Sequence, residues 1–71
     1  MKIIIQWTNK YSKEKGYVKT LNGNNKYFEN TFDVNCAKIY SSKWNAKRAL
    51  DRIIEYGEAI NNDFEIIDIE L

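Results

Sequence analysis

The run Asn22-Gly23-Asn24-Asn25 narrows the choice of fold more than any other segment of this chain. Four consecutive residues that tolerate left-handed backbone lie between Tyr17, Val18 and Leu21 on one side and Tyr27 and Phe28 on the other. An Asn-Gly step with such flanks is the pattern of a tight hairpin. The turn needs positive φ, and aromatic and β-branched side chains suit a half-buried pleated surface. A strand over residues 16–21 should therefore reverse into a strand over residues 26–28. Residues 2–7, an isoleucine triplet followed by Gln6 and Trp7, read as another strand. The polar stretch 8–16, with three lysines and no apolar period, reads as a polar loop or the frayed end of a long hairpin, with a mobile tip.

After the hairpin the pattern changes. Asp33 can cap a single turn over residues 34–37, and residues 38–40 read as a short extended piece. Ser41 or Ser42 then caps a helix over residues 43–56, which Gly57 is placed to stop, although the polar run to Asn62 has room for one more turn. At about 100° per residue, Ala46, Ala49, Leu50, Ile53, Ile54 and Tyr56 share one stripe of that helix, with Ile60 in line beyond it. This stripe should cover the sheet. Residues 63–71 alternate Ile67, Ile69 and Leu71 against Asp68 and Glu70, as a strand with one solvated face does. The sum is an α+β domain: a small, mainly antiparallel sheet of three to four strands with one helix on one face, in the order β-β-β-α-β. Both terminal strands should lie in or near the middle of the sheet, side by side.

Composition limits the chemistry. With 71 residues there is one domain with one thin core, since a chain this short buries only about 60% of the surface its unfolded form exposes. The chain has no histidine, the side chain most used as a general base near neutral pH and as a metal ligand, so neither enzymatic activity nor a cofactor or metal is expected. Its one cysteine, Cys36, allows no internal disulfide and reads as a small buried apolar residue. The longest apolar run is Ile3-Ile4-Ile5, so no membrane span or export leader is expected, and a cytoplasmic location is. Glu29, Asp33 and the acidic residues of the last strand fall on no recognisable catalytic spacing and read as surface solvation.

Charge is balanced in total and uneven along the chain. The net charge is +1, yet residues 1–20 hold five Lys against one Glu, whereas residues 54–71 hold six Asp or Glu and no Lys or Arg. Either the two ends pack side by side and offset one another, or a basic face meets phosphate or an acidic partner. Lys10, Tyr11, Lys13, Lys15 and Tyr17 interleave basic and aromatic residues as single-strand nucleic-acid binders do, a weak signal at this net charge. Trp44 lies about 160° from the centre of the helix stripe, on the side of Arg48, Asp51 and Glu55. It either folds back over residues 34–40, pairs with Arg48, or anchors a binding surface with Arg48 and Arg52, since Trp and Arg dominate binding hot spots.

The segment Ala37-Lys-Ile-Tyr-Ser-Ser-Lys-Trp-Asn-Ala-Lys-Arg-Ala-Leu50, preceded by Gly16-Tyr-Val-Lys and Lys26-Tyr-Phe, resembles small proteins of phages and mobile elements of AT-rich Gram-positive bacteria. The likeness covers about half the chain and carries no catalytic residue. It implies a binding protein that blocks a host protein complex by occupying its surface, as inhibitors of CRISPR and other defence systems do. A partner-binding set of Trp44, Arg48 and Arg52, or of Lys10, Tyr11, Lys13 and Lys15, is the corresponding expectation, with nucleic acid as the alternative partner. A homodimer that extends the sheet or buries Trp44 is a further way to satisfy so small a sheet.

Overall fold

The computed structural model describes residues 2–70, so Leu71 and its place in the last strand's alternation lie outside the described residues. Four strands, β1 (Lys2–Asn9), β2 (Lys15–Asn22), β3 (Tyr27–Thr31) and β4 (Asn62–Ile69), form one antiparallel sheet in the order β3-β2-β1-β4. Helix α1 (Lys43–Glu55) packs over β1 and β4. The fold is the α+β arrangement read from the sequence. The terminal strands are side by side, paired from Lys2 opposite Ile69 to Asn9 opposite Asn62. β1 is central, but β4 forms an edge, contrary to the expectation that both would lie near the middle. The acids Asp63, Glu65 and Asp68 suit that position, because charge on an edge strand opposes pairing with another chain.

Period-2 alternation in β1 turns Ile3, Ile5 and Trp7 toward α1, where they meet Val18 and the helix residues Ala46, Ala49 and Ile53. Every member of this cluster is at most 9% exposed. Ile4 is directed to the other face, where it is fully buried with Ile67 opposite it in register. Each buried isoleucine contributes roughly 1.5–3 kcal/mol relative to exposure, so this short row carries much of the stability. Val18 and Leu21 both join the helix-side core despite their odd spacing, because the β2–β3 register shifts between Val18 and Thr20. Lys19 is the extra residue of that bulge, and the inward face changes from even to odd positions across it.

Both hairpin loops are built by one device. Asn22 Oδ1 accepts from the backbone N–H groups of Asn24 and Asn25, both at 3.1 Å, and Lys26 takes the left-handed conformation at φ 55°. Positive φ thus falls on Lys26, one residue beyond the run expected to carry it. In the first loop Asn9 Oδ1 accepts from Tyr11 and Ser12, both at 2.9 Å, and Lys13 has φ 64°. An Asn whose side chain closes the turn and a Lys four residues later that reverses it occur twice. The stretch 8–16 is the tip of a long hairpin, the second of its two readings: β1 runs to Asn9, β2 starts at Lys15, and Lys10 N–H bonds the Asn61 carbonyl at 2.8 Å.

The link from β3 to α1 follows the sequence closely. Asp33 Oδ1 accepts from Asn35 N–H at 2.9 Å and caps the short 3₁₀ turn Val34–Cys36. Lys38 N–H then bonds the Val18 carbonyl and Tyr40 N–H the Ile3 carbonyl, so the extended piece fills the gap where β1 and β2 diverge. Of the two candidate caps it is Ser42 that holds the helix start, accepting from Asn45 N–H at 3.1 Å, while Ser41 Oγ accepts from the Asn45 side chain at 2.6 Å. Gly57, at φ 88°, ends α1 before a single 3₁₀ turn, Glu58–Ile60. The helix stripe is narrower than its apolar residues suggest. Ala46, Ala49 and Ile53 are buried, whereas Ile54 and Ile60 are 50% and 71% exposed, because one helix covers only half of this sheet. Cys36 is exposed, against the expectation of burial: it ends the 3₁₀ turn on the outside of the link, and Ala37 takes the buried position.

Candidate binding surface on the outer face of α1

The first turn of α1 presents Trp44 to solvent. Ala46 and Ala49 must face the sheet, so position 44 is turned almost directly away from it. The side chain is 68% exposed, and no aromatic or cation–π partner for it exists among the described residues. Of the arrangements compatible with the sequence, the fold back over residues 34–40 and the pairing with Arg48 are both absent.

Arg48 and Arg52 follow at one-turn spacing but swing to the flank of α1 that overhangs β2. With Asn45 and Ala49 they form one wall of a shallow cavity of about 230 Å³, closed below by Leu21 and Tyr40. Tyr40 N–H donates to the Ile3 carbonyl at 2.8 Å, which ties this stretch of backbone to β1. Burial pushes the Tyr40 phenol above its ordinary value of 10, and its hydroxyl finds no protein hydrogen-bond partner. No carboxylate among the described residues lies within ion-pair distance of either arginine, and the nearby Asp51 is 3.6 Å from Lys47. Leu21, Tyr40 and Asn45 were not singled out by sequence reasoning. They come together only because the link threads between β1 and β2, which no local pattern announces.

A second cavity of about 240 Å³ lies on the same side of the sheet, lined by Trp7, Phe28 and the polar residues Asn9, Glu14, Asn30, Glu58 and Asn62. The helix-side surface thus has a cationic cavity beside α1 and an acidic one beside the 3₁₀ turn that follows it. Among the described residues no group of three or more potential metal ligands exists.

No family model, curated protein or solved structure matches the chain. The site must therefore be read from its own geometry.

Lys10, Tyr11, Lys13 and Lys15 stand apart from Trp44. The Lys43 end of α1 adjoins Tyr40 and the start of β1, whereas residues 10–15 follow the end of β1 beside Asn61. The two sequence-derived surfaces therefore occupy opposite ends of the domain. Tyr11 is 76% exposed, but Lys10 is 3.9 Å from Asp63, and β1 and β4 lie side by side. Lysine-rich and acid-rich segments thus lie side by side, with a single exposed approach between them among the described residues, Lys10 to Asp63. No described helix is long and apolar enough to cross a membrane.

Proposed function

We propose that this chain is a non-enzymatic protein-binding module that acts by covering a surface of a partner protein complex with the outer face of α1. Trp44 anchors the contact, and Arg48 and Arg52 flank it. The observation that carries this reading is the 68% exposure of Trp44 on a well-capped helix, with no aromatic or cation–π partner among the described residues. An indole left in water forgoes the burial that makes tryptophan useful in a core, and tryptophan with arginine supplies a large share of binding energy at protein interfaces. The lack of histidine supports the non-enzymatic part of the reading. The resemblance to phage and mobile-element proteins directs the search for the partner to defence complexes of a Gram-positive host.

The test is affinity capture from nuclease-treated lysate of such a host, with the wild type and Trp44→Ala side by side. The expected result is a stoichiometric protein partner held by the wild type and lost by the variant, with both chains unfolding at the same midpoint. Equal capture by both would overturn the role of Trp44. A second reading, a nucleic-acid accessory role, draws on exposed Tyr11 beside Lys13 and Lys15. It requires an interaction that vanishes with nuclease and weakens steeply with salt.

A further inference from the structure

We infer that the cavity beneath Arg48 and Arg52 receives a carboxylate side chain from an acidic segment of the partner protein; this rests on the protein-binding reading above and names the chemistry of the contact. Two arginines one turn apart repel each other, and a helix normally relieves such a pair with an acid at a neighbouring position. Asp51 and Glu55 stand three residues beyond Arg48 and Arg52, yet among the described residues neither forms an ion pair with them: Asp51 is beside Lys47, and the six residues that line the cavity include no acid. Arg48 and Arg52 are themselves exposed and line a shallow concavity with Leu21 and Tyr40, where a partner surface seated on it would exclude water and strengthen their pull on an anion. Asn45 adds a side-chain amide at the rim.

Size selects the occupant. At about 230 Å³ the cavity lies below the range of about 300–1,000 Å³ usual for small-molecule sites, and it suits one side chain of a larger partner. A planar carboxylate can take paired hydrogen bonds from an arginine fork, which fixes its orientation as well as its position. A protein carboxylate fits better than a nucleic-acid backbone, because a phosphate chain extending beyond the cavity would have to pass a surface whose net charge is only +1. Trp44, in the helical turn just before Arg48, would then cover apolar surface next to the buried ion pair.

The experiment is a titration of the ¹⁵N-labelled full chain with a hexaglutamate peptide at near-physiological ionic strength, followed through backbone amides and arginine Nε–H signals. The expected result is a set of shifts confined to Arg48, Arg52, Asn45, Tyr40 and their neighbours. Arg48→Gln/Arg52→Gln should weaken the apparent affinity by about tenfold or more, and Arg48→Lys/Arg52→Lys, which keeps charge and loses the fork, by less. Shifts centred on residues 10–15, or none at all, would overturn the inference. So would a single-stranded oligonucleotide of equal charge that moves the same signals at lower concentration, which would assign the cavity to phosphate. In the capture assay the two proposals separate. Loss of the partner with Trp44→Ala and its retention by the double Gln variant would leave the binding module standing and remove the carboxylate site. Retention by Trp44→Ala would remove Trp44 as the anchor, and absence of any stoichiometric protein partner with the wild type would remove the module reading itself.

Discussion

Trp7 and Trp44 are the chain's only tryptophans, and the fold treats them in opposite ways. Trp7 ends the inward row Ile3, Ile5, Trp7 and is 6% exposed; its indole lies over Gly16 and meets Phe32 edge-on at 5.7 Å. Trp44 is 68% exposed in the first turn of a helix whose buried row starts at Ala46. Period decides the difference. Trp7 obeys the two-residue repeat of its strand, whereas Trp44 breaks the 3.6-residue repeat of its helix. A large apolar residue in phase with its element serves the core, and one out of phase needs another explanation.

Trp7→Ala should have the largest effect. Loss of a buried tryptophan costs about 3–5 kcal/mol, which is most of what a domain of this size has. The expected outcome is a chain without a cooperative urea transition by circular dichroism, and a normal transition would mean the β1 row is not the core. Gly16→Ala approaches the same residue from the other side. A Cβ at position 16 would stand 2.5 Å from Trp7 Cζ2 and 2.7 Å from Cε2, closer than atoms can pack, and both belong to one rigid ring that would have to shift as a whole. A loss of about 1–3 kcal/mol is expected, with a shift in Trp7 fluorescence. Unchanged stability and emission would show that the indole does not rest on the glycine.

Tyr40→Phe probes an aromatic between these extremes. Burial raises the Tyr40 phenol above 10, so the folded state holds that proton more tightly than the unfolded state does. Stability from this group is complete below pH 10 and is lost as the pH climbs from there through the folded value. Phenylalanine has no such proton, so the variant should lose less stability under alkaline conditions. At neutral pH it should match the wild type or exceed it by about 1 kcal/mol, because the hydroxyl it removes has no protein partner. Urea midpoints at neutral pH and above pH 10 test both parts, and a neutral-pH loss of similar size would show that the hydroxyl is satisfied after all.

The regular elements were legible where one period and one local signal agree: the isoleucine row of β1, a serine cap at 41 or 42 and the Asp33 turn. β4 was legible as a strand but not in its facing, since Phe64 and Ile66 pack on the helix-side core whereas Ile67 lies opposite Ile4 on the other face. What the sequence hid has a common physical cause. The position of β4 at the edge, the exposure of Ile54 and the cavity under Arg48 all depend on how elements distant in sequence pack, and a single helix on a four-stranded sheet leaves part of every pattern uncovered. The paired Asn-to-Lys loops could have been found from the spacing of Asn9 and Lys13 against Asn22 and Lys26. The Arg48 and Arg52 pair was visible as a charged face, but the tyrosine floor beneath it was not, since Tyr40 reaches that place through a bridge to Ile3 on the first strand. The binding role of that face stays with the capture and titration experiments.

Trp44→Ala should have the smallest effect on stability, and that smallness is what gives it value. The side chain lies outside the core cluster, and alanine is the better helix former, so the free energy of unfolding should change by less than about 0.5 kcal/mol. Iodide should quench the emission of Trp44 in the wild type and leave little to quench in the variant, whose remaining indole is the buried Trp7. A loss of several kcal/mol instead would mean that Trp44 packs against the domain in solution, and the contrast between the two tryptophans would collapse. If stability holds, the fold does not depend on the indole at position 44, and the capture experiment alone decides whether it has a use outside the domain.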